Sequence, residues 1–176
     1  MEKLQAFLKR KDIVFSAKRY GIDALGAMAQ GLFCSLLIGT IIKTLGEQAG
    51  LPFLVNAGSY ASAMSGAAMA VAIGFALAAP PLVLFSLATV GYAANALGST
   101  SLIPDQAGAG GPLAVLLIAI IAAECGKAIS KETKVDILVT PLVTILVGVG
   151  LSALWAPAIG TAATAVGNVI MWATDL

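Results

Sequence analysis

The sequence predicts an all-α, polytopic membrane protein, and three observations carry that expectation. Hydrophobic residues make up 59% of the 176-residue chain and charged residues 11%. Mean hydropathy is +0.97. The apolar residues fall in runs near the length of a membrane span, separated by short segments rich in Gly and Pro. A soluble domain carries about 25% charged residues to coat its surface. Ten Lys and Arg with nine Asp and Glu cover this chain too thinly, whereas a lipid-facing surface needs no such coat. One transmembrane helix takes about 20 apolar residues, so the length allows five to six helices, some short or broken.

Charge is unevenly placed. Six of the ten basic residues are Lys3, Lys9, Arg10, Lys11, Lys18 and Arg19, and a second group is Lys127, Lys131 and Lys134. Residues 1–19 therefore read as a basic amphipathic interfacial helix, with Leu4, Phe7, Leu8, Val14 and Phe15 on the apolar side. Residues 20–176 read as the transmembrane domain. The apolar run after the basic stretch is too long for a signal sequence, so it is taken as an uncleaved first span, Gly21 to Thr44. Gly46 to Asn56 reads as a loop or re-entrant piece.

The second span is expected over Gly58 to Ala79. Small residues recur there at every fourth position, Gly58, Ser62, Gly66, Ala70, Gly74 and Ala78, which gives a smooth ridge for close helix packing in lipid. Pro80-Pro81 ends it. A short third span follows over Leu82 to Leu97, then a loop, Gly98 to Pro112, marked by clustered Gly, Pro, Ser and Asp. The fourth span covers Leu113 to Cys125 and the fifth Ile137 to Trp155. Pro157 is expected to separate a last apolar segment, Ala158 to Ala173. Four passes return the chain to its starting side at the basic turn Lys127–Lys134. The Lys- and Arg-free loop Gly98–Pro112 falls opposite. This fits a cytoplasmic N-terminus in a bacterial plasma membrane.

Without histidine the chain has no imidazole ligand and no Ser-His or Cys-His pair, so no metal site, cofactor or hydrolase centre is implied. Cys34 and Cys125 lie in apolar runs. A net charge of +1 gives no ground for a nucleic-acid partner. Chemistry then rests on intramembrane polar groups, which are costly unless paired, wet or useful. Glu124 reads either as a helix-end ion pair with Lys127 or as a carboxylate facing a polar cavity. Asp23 is expected to pair with Lys18 or Arg19. Gln30 reads as an interhelical hydrogen bond or a substrate contact. Asn56 and Asn95 stand near span ends, where broken helices expose backbone to solutes. Glu124, Gln30, Asn56 and Asn95 are the candidate substrate-binding residues, with Gly58, Ser62, Gly66, Ala70 and Gly74 as the packing set.

Five long runs also resemble a bacterial family. RYGIDALGAMAQGLFCSLLIGTIIKTLGEQAGL, GSYASAMSGAAMAVAIG, APPLVLFSLATVGYAANALG, GGPLAVLLIAIIAAECGK and KETKVDILVTPLVTILVGVGLSALWAPAIG are similar to membrane subunit IIC of the sugar phosphotransferase system. The resemblance implies a permease component moving a sugar or polyol, served by IIA and IIB partners that hand on a phosphoryl group. The IIC part carries neither phosphorylated residue, which the missing histidine fits, and no site residue is transferred. The chain resembles the N-terminal half of such a subunit, so a C-terminal half or a homo-oligomer is expected to complete it. The alternatives are a non-transporting scaffold or sensor, and an ion-coupled carrier using Glu124.

Overall fold

A computed structural model describes residues 2–100 and 110–174. Residues 101–109, the middle of the predicted Gly98–Pro112 loop, lie outside the described residues. The described chain is helical, in seven helices: α1 (Glu2–Arg10), α2 (Lys18–Ala49), α3 (Pro52–Ala63), α4 (Ser65–Ala76), α5 (Pro81–Gly98), α6 (Gly111–Ile129) and α7 (Asp136–Thr174). Four of them, α2, α5, α6 and α7, are long and apolar enough to cross a membrane. The pair α3 and α4, bent by 49°, counts as a fifth pass if taken as one broken span. This is the all-α polytopic architecture that composition predicts.

The boundaries differ from expectation in four places. The N-terminal helix ends at Arg10, because Asp12 takes a left-handed conformation (φ 52°), and residues 13–16 before α2 form no regular element. The loop expected over Gly46 to Asn56 shrinks to a tight turn, with Gly50 (φ 66°) as the left-handed cap of α2 and Pro52 opening α3, each in the position its backbone favours. The second span is not continuous: it breaks at Met64, splitting the small-residue ridge between two helices. Finally, Pro157 does not end a helix, and Asp136–Thr174 is one element of 39 residues. A proline inside a membrane helix is tolerated where neighbours and hydroxyls re-satisfy the backbone. The missing Pro157 N–H frees the Ala153 carbonyl; the Thr161 hydroxyl donates one turn further on, to the Pro157 carbonyl at 2.9 Å.

The core is formed by α4, α5 and α6, with α7 against α5 and α6. It holds Met69, Ile73 and Leu77 of α4, Leu87 and Val90 of α5, and Ile118 of α6, interleaved with alanines. In lipid, association depends on close packing rather than expulsion from water, so small residues set the distances. At the α4–α5 crossing, a Cβ on either Gly66 or Gly91 would strike the other's carbonyl oxygen. A Cβ on Gly31 of α2 would meet the Ala68 carbonyl oxygen of α4 at 2.7 Å. One on Gly39 would meet the Gly58 carbonyl oxygen of α3 at 2.8 Å. The ridge thus serves two partners: Gly58 and Ser62 face α2, and Gly66 faces α5. Buried hydroxyls on Ser35, Ser86, Thr144 and Ser152 donate to the carbonyl one turn back, so these four donors are not stranded in hydrocarbon.

Gly66→Val is expected to force α4 and α5 apart, costing at least the ~1–3 kcal/mol of an overpacked core. Gly150→Ala, where a Cβ meets nothing within 4 Å, serves as control. Thermal unfolding in detergent should show a large drop for the first and little change for the second.

Candidate functional site

Two features concentrate the polar groups. The first is a network where the ends of α4 and α6 meet the N-terminal segment. Helix α4 ends at Ala76, Ala78 turns left-handed (φ 54°), and Pro80-Pro81 follow. The last carbonyls of a helix lack intrahelical partners, and these prolines have no N–H to offer. Two cations meet the need at Leu77. The Lys127 ammonium donates to its carbonyl oxygen at 2.9 Å, and Arg19 Nη2 donates to the same oxygen at 2.7 Å. Lys127 also donates to the Asp12 carbonyl at 2.6 Å and lies 3.3 Å from Glu124 Oε2. Its side chain is 1% exposed. That ion pair lacks hydrogen-bond geometry, so Oε2 has charge compensation but no donor. The other oxygen, Oε1, accepts from the Tyr20 hydroxyl at 3.1 Å.

Asp12 completes the network. Arg19 donates to its Oδ2 at 2.6 Å, and that hydrogen bond holds the carboxyl below its ordinary value of 3.8 against the opposing effect of desolvation. Nearby, Arg10 and Lys11 both reach Glu132 Oε1, at 2.7 and 2.6 Å, and Lys11 also donates to the Ser130 carbonyl. The Lys11 hydrogen bond, followed by the charge of Arg10, pulls Glu132 below the usual carboxylate range.

The second feature is a groove of about 820 Å³ between α2 and α4. Its walls are mostly small: Gly26, Ala27 and Gly31 on one side, Ala68, Ala72 and Ala76 on the other. Their missing bulk makes the space. Apolar Ile22, Val71 and Leu84 also line it, together with two polar side chains and an aromatic ring. Asp23 stands toward the start of α2, Gln30 near the middle of the same helix, and Phe75, 77% exposed, on α4. Among the described residues, neither Asp23 nor Gln30 has a hydrogen-bond or ion-pair partner. The expected pairing of Asp23 with Arg19 does not form, because Arg19 is taken by Asp12 and Leu77.

The four candidate residues therefore do not share one site. Glu124 sits in the network. Gln30 sits in the groove. Asn95 packs between helices, its Nδ2 3.5 Å from Ser65 Oγ and its Oδ1 beside Gly111. Asn56 lines a cleft at the α2–α3 turn with Glu47 and Gly50. Sequence reasoning missed the roles of Asp12, Arg19, Tyr20 and Phe75. Only the charge of the first two gave a signal, and none of it pointed to Leu77.

Compared with known families, residues 22–176 match the family described as phosphotransferase system, EIIC. The chain belongs to that family. It is therefore a multi-pass membrane component of phosphotransferase-system transport. No curated protein and no solved structure matches it.

Lys127→Met should destabilise the EIIC chain by about 3–5 kcal/mol, since it leaves the Glu124 carboxylate without its cation and the Asp12 carbonyl without its donor. Adding Glu124→Gln should restore part of that loss, read as a coupling energy in a double-mutant cycle by denaturant unfolding in detergent. Acid should release the N-terminal segment. Asp12 is depressed in the folded state, so its contribution is complete above 3.8 and is lost as pH falls through the lower folded value. Hydrogen-exchange protection at residues 10–13, measured against the intrinsic rate at each pH, should fall on acidification, and Arg19→Met should remove that dependence.

Proposed function

We propose that this chain moves a sugar or polyol across the bacterial plasma membrane, with the α2–α4 groove as its solute site. The observation that carries the reading is the Gln30 carboxamide. It stands near mid-helix on a span, open to a groove, with no partner among the described residues. An unsatisfied amide in hydrocarbon is costly, and a sugar hydroxyl matches it because a carboxamide both donates and accepts. Asp23 adds an acceptor and Phe75 an aromatic face. A concave, mostly apolar site with a few convergent polar groups is the usual form of a small-molecule pocket.

The salt bridges support a cytoplasmic N-terminus. Arg10–Glu132 and Lys11–Glu132 tie the N-terminal basic segment to the α6–α7 turn, so both basic groups share one face. By the positive-inside rule that face is cytoplasmic, and soluble IIA and IIB partners approach from it. The groove is open on one side, so a second copy or a further part of the permease supplies its other wall. An ion-coupled carrier is favoured less, because Glu124, its best carboxylate, is already engaged by Lys127 and Tyr20.

Equilibrium binding of a sugar and polyol panel to the complete assembly tests the site. A saturable ligand is expected, with affinity falling at least tenfold for Gln30→Leu while folding is unchanged. Binding indifferent to both Gln30→Leu and Asp23→Asn would remove the groove as the site. Absence of any saturable ligand would count against transport itself.

A further inference from the structure

A separate cavity of about 320 Å³ opens on the basic face, bounded by the α1–α2 link, the α4–α5 link and the α6–α7 turn. Four cations line it, Arg10, Lys11, Lys127 and Lys131, against two carboxylates, Asp12 and Glu132. Lys127 is fully engaged with two carbonyls and Glu124, and Asp12 is held by Arg19. That leaves three cations and Glu132, whose single charge is shared by Arg10 and Lys11. The Lys131 ammonium makes no hydrogen bond or ion pair among the described residues, and only the longer-range charge of Asp136 acts on it and on Lys11.

Ser130 points the same way. It is 3% exposed and lines the cavity. Its hydroxyl makes no hydrogen bond among the described residues, and its oxygen is not sealed from the cavity, so a ligand there reaches it. The backbone is also unusual here. All three described non-glycine residues with positive φ, Asp12, Ala78 and Lys131, border this one cavity. Such conformations cost of order 1 kcal/mol or more and cluster at functional sites.

We propose that this cavity binds a phosphate group. Arg10, Lys11 and Lys131 supply charge-assisted donors, and the Ser130 hydroxyl supplies a fourth. A tetrahedral phosphate offers several acceptor oxygens and accepts from Arg and Lys together. Glu132 holds the place in its absence: its Oε1 receives Arg10 and Lys11 where a phosphate oxygen would. Glu132 is in an exposed turn and is displaced when the ligand enters. The phosphate comes either from the headgroup of an anionic phospholipid, since the α1–α2 link that borders the cavity also carries exposed Val14 and Phe15, or from a soluble phosphate.

The test uses the full chain in maltoside detergent, titrated calorimetrically with inorganic phosphate and, separately, with short-chain phosphatidylglycerol. Saturable binding is expected for at least one probe. Glu132→Gln should tighten it at least tenfold, and the pair Ser130→Ala, Lys131→Met should weaken it at least tenfold. Tighter phosphatidylglycerol binding assigns the lipid headgroup, and equal or tighter inorganic phosphate binding assigns a soluble ligand. Circular dichroism and size-exclusion profiles establish that the variants fold. No saturable binding of either probe by the native chain and Glu132→Gln would overturn the proposal. So would binding unchanged in the double variant. Gln30→Leu should leave phosphate binding intact, so failure here is separable from failure of the sugar reading.

Discussion

One oxygen atom organises the basic end of the molecule. The carbonyl of Leu77 follows the last turn of α4, where a helix presents partial negative charge, and the prolines beyond it offer no donor. Lys127 comes to it from α6 and Arg19 from α2. Three passes are pinned at one point. The same two cations then fix Asp12, through its carbonyl and its carboxylate, so the N-terminal segment closes over the network and buries Ile13 (7% exposed). Placing a lysine side chain at 1% exposure in a membrane protein is expensive. It is tolerable because two carbonyls accept from it and Glu124 balances its charge.

At the other end of the same helix pair, the constraint is steric. The bend at Met64 lets one ridge of small residues face two different neighbours. The Gly66–Gly91 crossing sets α4 against α5, and Gly58 with Ser62 sets α3 against α2. Because α2 also touches α4 at Gly31 and Ala68, the two helices diverge from a close contact. The alanines and glycines beyond that contact leave the 820 Å³ groove. Close packing and the open groove have one cause, the absence of side-chain bulk on facing walls.

These two arrangements explain what was legible in the sequence. Spans are legible because they follow from composition summed over many residues, and the third and fourth were placed to within a few residues. The break at Met64 was not, because the chain there carries no Pro and no charged residue, and the first span runs on to Ala49 because Lys43, Glu47 and Gln48 all stand on exposed positions. The bend is set by which neighbours the ridge meets. Pro157 was a strong local stop signal that tertiary packing overrode: Gly160 lies against the Gly98 carbonyl, and the helix continues past it. The Glu124–Lys127 contact was legible from i, i+3 spacing. Arg19 on Leu77, 58 residues apart, was not, since no local pattern encodes a carbonyl left unpaired by a distant proline.

Polar residues in a membrane protein sort by whether the fold satisfies them. Glu124 ranked first from sequence as a buried carboxylate, yet its charge is matched by Lys127 and one oxygen by Tyr20. Asn95 has its carboxamide wedged between three helices. Groups of that kind stabilise the bundle and have little left to give a solute. Gln30, Asp23 and the Ser130 hydroxyl are different, since each borders a space and none has a partner among the described residues. In water such groups are unremarked, because solvent satisfies them. In or beside a bilayer an unmet donor or acceptor persists only if something else meets it, so what identifies a binding site here is the partner the fold does not supply.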